Sequence, residues 1–361
     1  MPGAKKDKIA IWVITPNGIK IARRIAARLP DVDVHMSGRL KEAALEKLTF
    51  GKLSEEMVEK FIQYAGHIFI MSTGIVVRVI APLIQSKTED PAVVVIDDQG
   101  RHAISLLSGH LGGANALTLQ VAEIIGARPV ITTATDVNKR PAIDVLAKEK
   151  NIIIENPRAI KTINMALLTD QKIYAYDRFA LLQDEIPNAI QLTEAVLTQT
   201  DSARTDFPLD DHTAVIFVDD RQIDLPAHVL ILRPATLVAG IGCNRNTPME
   251  EIKTLLTETF KKYQLAGPSL NRMATIDLKA DEPGLVDLAK TLNVPIDFFS
   301  RAELSQVEGI QTPSAMVEKH VGVKSVCEAA AILASRMGTL IVPKQTTPNV
   351  TVAIARKAFT L

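Results

Sequence analysis

Hydrophobic and polar positions alternate along this chain in two blocks that both predict an α/β fold. In residues 1–144, apolar runs such as IAIWVI, typical of buried strands, alternate with segments of helical spacing. Residues 235–361 repeat this pattern, and their last apolar run is VTVAIA at 350–355. We therefore predict two three-layer α/β domains, each with a mostly parallel or mixed sheet.

The pattern weakens between these blocks, over residues 145–234. Short apolar runs such as KIYAY and AVIFV predict strands, whereas the polar stretch at 198–212 predicts an exposed loop. We interpret this part as a smaller, variable α+β middle region that joins the two larger domains.

A polar glycine turn follows the last apolar strand of the first block. Gly109, Gly112 and Gly113 come after the run AISLL, and an amphipathic helix then extends to a predicted stop at Gly126. Glycines let a backbone approach a ligand closely, and the unpaired N–H groups of a helix start favour anionic oxygens. His110 lies inside this turn. The alternative is a tight connection that binds nothing.

A second glycine turn opens the last block. The run LVAGIG predicts a strand, with Gly240 and Gly242 flanking its end and Cys243 and Arg245 on the loop that follows. Ligands of open α/β sheets usually bind above the carboxyl ends of strands. The alternative is a small buried cysteine beside a solvated arginine. A dinucleotide fingerprint fits poorly, because the third glycine is missing.

The residues after this loop predict a helix start. Thr247 is the expected N-cap, Pro248 the first-turn proline and Glu250 the capping-box glutamate of a helix over 248–263. A second helix is predicted over 283–292, and a third contains Cys327.

Composition narrows the classes of function. The 361 residues include 41 Lys and Arg and 41 Asp and Glu, so no net charge favours nucleic acid or a membrane surface as partner. Two cysteines exclude a disulfide-rich scaffold or a cysteine-based zinc cluster and favour a reducing, cytoplasmic compartment. The most apolar segment, 67–84, is interrupted by Ser72, Gly74 and Arg78, so we expect no membrane span there.

Common catalytic motifs are absent from the sequence. It contains no G-x-S-x-G elbow, no phosphate-binding G-x-x-x-x-G-K-[ST] loop and no H-E-x-x-H pair. The spacing of His102 and His110 is not a recurring metal-ligand spacing, so we predict no protein-bound metal.

Several separated segments together resemble the CbiG family of anaerobic cobalamin biosynthesis, the cobalt-precorrin-5A hydrolases. The resemblance covers nearly the whole chain, although Asn244 and Asn246 stand where family loops are richer in arginine and glycine. The matching segments are STGIVVRVIAPLI, DPAVVVID, LLSGHLGGAN, VITTATDVN, VAGIGC, IDLKADE and VCEAAAILAS.

The resemblance implies a hydrolase that opens the δ-lactone of cobalt-precorrin-5A and releases acetaldehyde, giving cobalt-precorrin-5B. The resemblance implies no cofactor, because the substrate carries the cobalt. Other enzymes of the pathway are candidate partners. The expected binding place for so large a substrate is a cleft between the two α/β domains. A non-catalytic tetrapyrrole carrier or scaffold stays open as an alternative, as does a nucleotide-dependent enzyme that uses the glycine turns.

Within that reaction, His110 is the candidate base, since the nearby helix N-terminus should keep it neutral. Asp136 or Glu282 is the candidate acid or orienting group. Alternatively, His110 only binds a carboxylate, Asp136 caps a segment, and Lys279 pairs with Glu282 in solvent. The candidate substrate-binding residues are Arg78, Gly109, Gly112, Gly113, Asn115, Thr133, Gly240, Gly242, Cys243, Arg245, Lys279, Glu328 and Lys344.

Overall fold

The computed structural model describes residues 6–40, 48–86, 89–138, 140–186, 188–193, 213–313 and 322–357. The chain divides into two compact units, Met1–Val145 and Leu146–Leu361, which we call the N-terminal and C-terminal units. Three mixed sheets with helices between their strands confirm the α/β class. The loop predicted at 198–212 lies outside the described residues.

The N-terminal unit is built on a seven-stranded sheet of order β3-β2-β1-β4-β5-β6-β7. Every neighbouring pair is parallel except β5 and β6. The strands are β1 (Lys6–Val13), β2 (Val32–Ser37), β3 (Thr49–Phe50), β4 (Tyr64–Ile70), β5 (Ala92–Ile96), β6 (His102–Leu107) and β7 (Arg128–Val130).

In the described residues, six helices accompany this sheet, and the last one crosses the boundary between the units. They are α1 (Pro16–Ala26), α2 (Leu53–Lys60), α3 (Thr73–Ile80), α4 (Ala114–Ile125), α5 (Ala134–Val137) and α6 (Ile143–Glu149). Helix α4 ends as predicted, with Gly126 in the left-handed conformation.

The apolar segment at 67–84 is divided between β4 and α3. In the described part of the chain, no helix is both long and apolar enough to cross a bilayer.

The reversal of β6 decides where the glycine turn lies. Strand β6 is antiparallel to β5, so Leu107 at its end pairs with Val93 near the start of β5. The turn therefore lies at the edge of the sheet where β5 begins, opposite the carboxyl ends of the parallel strands β1 and β4. A methyl group added at Gly112 would lie 3.3 Å from the Asp90 carbonyl oxygen, which confirms this placement.

Side chains of strand β1 contribute to the hydrophobic cores on both faces of this sheet. Ile11 and Val13 pack with side chains of α1 and α4 on one face. Ala10 and Trp12 pack with side chains of α2 and α3 on the other. This alternation is the expected two-residue period of a strand that is covered on both sides.

Two histidines are buried beside Trp12. The indole Nε1 donates to His67 Nδ1 over 3.0 Å, and His67 Nε2 lies 2.9 Å from the Phe61 carbonyl oxygen. This arrangement satisfies a neutral His67 with its proton on Nε2. His35 stacks on Trp12 with ring centroids 4.2 Å apart. Burial lowers the pKa of both His67 and His35 to about 4.

These histidines should make the N-terminal unit sensitive to acid. The pKa of folded His67, about 4, lies below its ordinary value of 6.5, so the unfolded chain binds the proton first as the pH falls. The contribution of neutral His67 to the free energy of unfolding is therefore fully present above about pH 6.5. It falls by roughly 3 kcal/mol as the pH is lowered toward 4. Urea unfolding followed by the fluorescence of Trp12, the single tryptophan, measures this loss. His67→Gln should flatten the pH dependence, and an unchanged slope would contradict the account.

The C-terminal unit begins with a five-stranded sheet of order β10-β9-β11-β12-β8. Only the pair of β12 and β8 is antiparallel. The elements are β8 (Ile152–Ile154), α7 (Ile160–Leu168), β9 (Ile173–Asp177), β10 (Ile190–Gln191), β11 (Ala214–Val218) and β12 (Leu230–Pro234).

A second five-stranded sheet in this unit has the order β15-β14-β13-β17-β16. Strands β13, β14 and β15 are parallel, whereas β17 is antiparallel to both of its neighbours. The elements are β13 (Leu237–Cys243), α8 (Met249–Lys262), β14 (Leu270–Ile276), α9 (Pro283–Leu292), β15 (Ile296–Phe299), α10 (Arg301–Ser305), α11 (Val326–Ala334), β16 (Thr339–Thr346) and β17 (Val350–Arg356).

A buried carboxylate joins these two sheets. Asp220, which follows β11, accepts two hydrogen bonds from Arg356 of β17, at 2.6 and 2.9 Å. It also accepts a hydrogen bond from the Thr236 hydroxyl over 2.7 Å. A fully buried carboxylate requires such partners, and these hydrogen bonds connect the end of β11 in one sheet with β17 in the other.

The predicted helix over 283–292 is confirmed, but the predicted capping box before α8 is wrong. Pro248 occupies the N-cap position, and its side chain makes no capping hydrogen bond. The Thr247 hydroxyl instead donates to the Asn244 carbonyl over 2.9 Å. Because the Thr247 hydroxyl forms its hydrogen bond with the preceding loop, it does not cap α8.

Candidate active site

His110 lies between two carboxylates of the N-terminal unit. Its Nε2 is 2.8 Å from Asp136 Oδ2, and its Nδ1 is 3.3 Å from Asp144 Oδ2. The Thr135 hydroxyl is a further neighbour, 3.1 Å from Nε2. The side chains of His110 and Asp144 are 15% and 9% exposed, whereas that of Asp136 is 39% exposed, so Asp136 is the member open to solvent.

These carboxylates favour the charged imidazolium. The Asp144 hydrogen bond raises the pKa of His110 above its ordinary value, burial opposes this, and Asp136 adds to the rise. The rise in pKa runs against the sequence-based expectation that a helix N-terminus keeps this ring neutral. Partial burial raises the pKa of Asp136, but hydrogen bonds from His110 and Thr133 outweigh it and lower that pKa below its ordinary value.

Asn115 holds Asp136 in place. Its Oδ1 accepts from the Ser105 hydroxyl over 2.6 Å, and its Nδ2 donates to Thr133 Oγ1 over 2.8 Å and to Asp136 Oδ2 over 3.0 Å. Asn115 is buried, and these bonds fix its amide. The structure thus gives Asn115 and Thr133, both predicted to bind substrate, the role of orienting a carboxylate.

The backbone of the glycine turn bonds to itself. The N–H groups of residues 113, 114 and 115 donate to the carbonyls of residues 110, 108 and 109, each over 3.0 Å. The expectation that these groups are unpaired and available to an anion is therefore wrong. The closed turn at 108–115 therefore carries the His110 side chain, and its paired N–H groups do not form a backbone cradle for an anion.

Each glycine of this turn has a local structural reason. A methyl group at Gly109 would lie 2.8 Å from Asn115 Oδ1, and one at Gly112 would lie 2.3 Å from Ser108 Cβ. Gly113 has a φ of 88°, a conformation that favours glycine. The spacing of the glycines therefore reflects close packing around Asn115 and Ser108, and their predicted contact with substrate stays a prediction.

Sequence reasoning missed Asp144 and Thr135. Both are buried polar residues, at 6% and 4% exposure. Asp144 lies in the first turn of α6, inside the apolar run AIDVLA, and an acidic residue in such a run signals a buried partner. That signal indicates burial but does not name the partner, so the pairing with His110 could not be predicted.

A second polar group, in the C-terminal unit, surrounds the end of β13. Arg245 contacts Asp281 Oδ1 at 2.5 Å and the Leu278 carbonyl oxygen at 2.8 Å. Lys279 Nζ lies 3.5 Å from Glu282 Oε2, and Arg245 Nη1 lies 3.8 Å from the same oxygen. The sequence suggested only the pair of Lys279 and Glu282, and because Glu282 is buried, the alternative of a fully solvated pair is wrong.

Cys243 belongs to this second group but is not activated. Burial raises the pKa of its thiol to about 11, and the charges of Lys279 and Arg245 offset only part of this effect. The thiolate is the nucleophilic form, so the thiol is a poor nucleophile near neutral pH.

Gly240 and Gly242 owe their identity to packing. A methyl group at Gly240 would lie 1.8 Å from the Cys327 carbonyl oxygen and 2.7 Å from the Ala331 nitrogen, both on α11. One at Gly242 would lie 2.6 Å from Thr351 Oγ1. Strand β13 is paired on both sides at Gly240, so its backbone belongs to the sheet. The sequence pattern could not distinguish this requirement from a ligand site.

Three other predicted binding residues have local partners. Glu328 is fully buried and accepts from the backbones of Gln311, Thr312 and Lys344 at 2.8, 3.0 and 2.9 Å, and from the Thr312 hydroxyl. Because no carboxylate oxygen of Glu328 remains exposed, Glu328 has a structural role instead of the predicted contact with substrate. Lys344 Nζ donates to the Thr312 carbonyl over 2.9 Å. Arg78 is exposed and donates to the Gly74 carbonyl over 2.9 Å.

The structure therefore places several of the predicted residues in two groups, one around His110 and one around Glu282. The cleft that is expected to contain both groups stays a prediction. Among the described residues, no cluster of three or more histidine, cysteine, aspartate or glutamate side chains could hold a metal ion.

The described residues form a mixed α/β protein in which His110 lies between two carboxylates. Three family models match the chain in order: the N-terminal part of cobalamin synthesis G at 55–136, the central region of cobalamin biosynthesis at 141–234, and the C-terminus of cobalamin synthesis G at 237–355. A cobalt-precorrin-5A hydrolase of Salmonella typhimurium is 40% identical over 345 residues, which cover 93% of this chain and 94% of that protein.

One further relative and one solved structure are similar to this chain. A cobalt-precorrin-5A hydrolase of Priestia megaterium is 33% identical over 98% of this chain and 96% of its own length. A solved structure of a cobalamin biosynthesis protein G homologue from Sulfolobus solfataricus is 22% identical, covers 97% of both chains and has a TM-score of 0.35. The chain belongs to the CbiG family of cobalamin biosynthesis.

Asp144 should control the titration of His110. Replacing Asp144 with Asn removes a negative charge from beside Nδ1 and should lower the pKa of His110. The signal of His110 in a nuclear magnetic resonance titration, assigned by its loss in His110→Gln, measures this pKa. Asp97→Asn, beside the exposed His102, is the matched control. An unchanged His110 pKa in Asp144→Asn would contradict the geometry.

Gly240→Ala should destabilise the C-terminal unit strongly. The added methyl group overlaps the backbone of α11, and overpacking typically costs about 1–3 kcal/mol, so this overlap should cost about 3 kcal/mol. Gly267→Ala is the control, because nothing lies within 4 Å of its added methyl group. Chemical denaturation measures both variants, and equal stabilities would show that packing does not explain Gly240.

Proposed function

We propose that this protein is a cobalt-precorrin-5A hydrolase that opens the δ-lactone of its substrate and releases acetaldehyde, giving cobalt-precorrin-5B. The observation that carries the proposal is the full-length similarity to proteins of that name, at 40% and 33% identity. The polar group around His110 supports it, since the reaction needs a proton acceptor and a proton donor side by side.

The first step is the addition of water to the lactone carbonyl. The exposed Asp136 carboxylate takes the water proton, and the His110 imidazolium donates to the carbonyl oxygen as negative charge develops. Collapse of the adduct breaks the ester C–O bond, and His110 supplies the proton of the new hydroxyl. The sequence suggested His110 as the base; the two carboxylates around it favour the donor role.

The second step removes the two-carbon fragment. The hydroxyl loses its proton, its C–O bond becomes the aldehyde C=O, and the C–C bond breaks. The electron pair of that bond remains on the macrocycle carbon, which takes up a proton. Water and lactone therefore account for every atom of the carboxylate, the acetaldehyde and the macrocycle. We infer that no cofactor takes part, because cobalt belongs to the substrate.

A tetrapyrrole carrier of the same pathway is the alternative function. A carrier binds the substrate but releases no aldehyde, so product analysis separates the two functions. Partner enzymes of the pathway and a cytoplasmic location stay predictions.

His110→Ala should abolish most acetaldehyde release. Purified protein incubated anaerobically with cobalt-precorrin-5A should release one acetaldehyde per substrate, trapped as a hydrazone. Loss of the acid–base side chain should slow this by about 10²- to 10⁴-fold. His102→Ala is the control, because His102 also lies beside an aspartate but outside the His110 group. Release by His110→Ala at the wild-type rate would exclude the proposed role, and tight binding without aldehyde from wild type would favour the carrier.

A further inference from the structure

Ser105 lies at the start of a chain of hydrogen bonds that ends at Asp136. Its hydroxyl donates to Asn115 Oδ1 over 2.6 Å. Asn115 Nδ2 in turn donates to Thr133 Oγ1 over 2.8 Å and to Asp136 Oδ2 over 3.0 Å. Ser105 pairs with Val94 of the neighbouring strand β5, so the sheet fixes the first member of this chain. All of these residues belong to the N-terminal unit.

The direction of these hydrogen bonds follows from the chemistry of Asp136. An ionised carboxylate only accepts hydrogen bonds, so the NH₂ end of the Asn115 amide faces it. The oxygen end then faces Ser105, whose hydroxyl is the single donor to that oxygen in the described part of the chain. The Thr133 hydroxyl accepts from Asn115, and its own proton donates to Asp136. The protons of the whole chain therefore point toward Asp136.

Packing alone does not decide which end of the Asn115 amide faces Asp136. A methyl group at Gly109 would lie 2.8 Å from Asn115 Oδ1 and 3.1 Å from Nδ2, so the amide packs closely on the turn that carries His110. The two ends of an amide are nearly equal in size, and a half-turn would exchange them. The exchange would place the amide oxygen against the Asp136 carboxylate, where two acceptors repel each other. The hydrogen bond from Ser105 stabilises the orientation in which the amide donates.

We propose that Ser105 is a positioning residue for the proton acceptor of the reaction. Through Asn115, it holds the Asp136 carboxylate ionised and in the orientation that takes the proton of water. This proposal rests on the proposed function, in which Asp136 is that acceptor. Among the described residues, no hydrogen bond joins Ser105 to His110, so Ser105 supports the acceptor and Asp144 supports the donor.

The pH dependence of kcat/KM for acetaldehyde release tests this role. In Ser105→Ala, Asn115 Oδ1 loses its donor, so the amide holds Asp136 less well and the pKa of that carboxyl rises. Activity that needs the ionised carboxylate is lost as the pH falls through this pKa, so the ascending limb should move to higher pH. The value of kcat/KM should fall by about 10-fold, the effect of one hydrogen bond. The descending limb, which reports His110, should keep its position.

Nuclear magnetic resonance gives a second readout that needs no substrate. His110 Nε2 lies 2.8 Å from Asp136 Oδ2, so the ring signal of His110 has an inflection where Asp136 titrates. In Ser105→Ala this inflection should also move to higher pH. Ser105→Thr keeps the hydroxyl and should restore both the limb and the inflection. Ser105→Cys, whose thiol is a weak donor, should shift both in the same direction as Ser105→Ala and serves if that variant does not fold. Circular dichroism checks the fold of each variant.

Ser335→Ala is the matched control, because Ser335 is buried in the C-terminal unit and its hydroxyl donates to the Ile332 carbonyl over 2.7 Å. Loss of this hydroxyl should leave both limbs in place. An ascending limb and an inflection at the wild-type pH in Ser105→Ala would overturn the proposal. Wild-type protein that releases no acetaldehyde would instead overturn the proposed function, and the inflection would still test the effect of Ser105 on Asp136.

Discussion

The candidate chemistry of this protein depends on one electrostatic arrangement, an imidazole held between two carboxylates. Asp144 at Nδ1 and Asp136 at Nε2 both stabilise the charged form of His110. Asn115 then fixes Asp136, and the turn that carries His110 is closed by its own backbone hydrogen bonds. A proton donor and an exposed proton acceptor are thus presented together, with little conformational freedom left to either.

The fold explains how this arrangement is reached. Because β6 runs against the rest of its sheet, the turn at 108–115 lies at the edge where β5 begins. Strand β7 is parallel to β6, so the segment with Thr133, Thr135 and Asp136 follows it to the same edge. One reversed strand therefore assembles residues from three segments of the N-terminal unit. In the C-terminal unit, the parallel strands β13 and β14 similarly bring Arg245 beside Lys279 and Glu282.

Much of this could be predicted from the sequence, because strand and helix periods are local properties. The helix over 283–292, the helix stop at Gly126 and the α/β class followed from spacing alone. The grouping of His110 with Asp136 came from the motifs of a family resemblance. The direction of β6 could not be predicted, since it depends on pairing with a distant strand. The same limit applies to Gly240, whose partner is a helix 87 residues later at Cys327, and to Asp144, whose pattern signalled burial without a partner.

The central claim is that the His110 imidazolium donates a proton and that Asp144 sustains its charge. The pH dependence of kcat/KM for acetaldehyde release tests this most directly, measured for wild type and for Asp144→Asn. Activity that needs the imidazolium is lost as the pH rises through the pKa of His110, and removing the Asp144 charge lowers that pKa. We predict that the descending limb of the profile moves to lower pH in the variant. A limb at the same pH in both proteins would contradict the account.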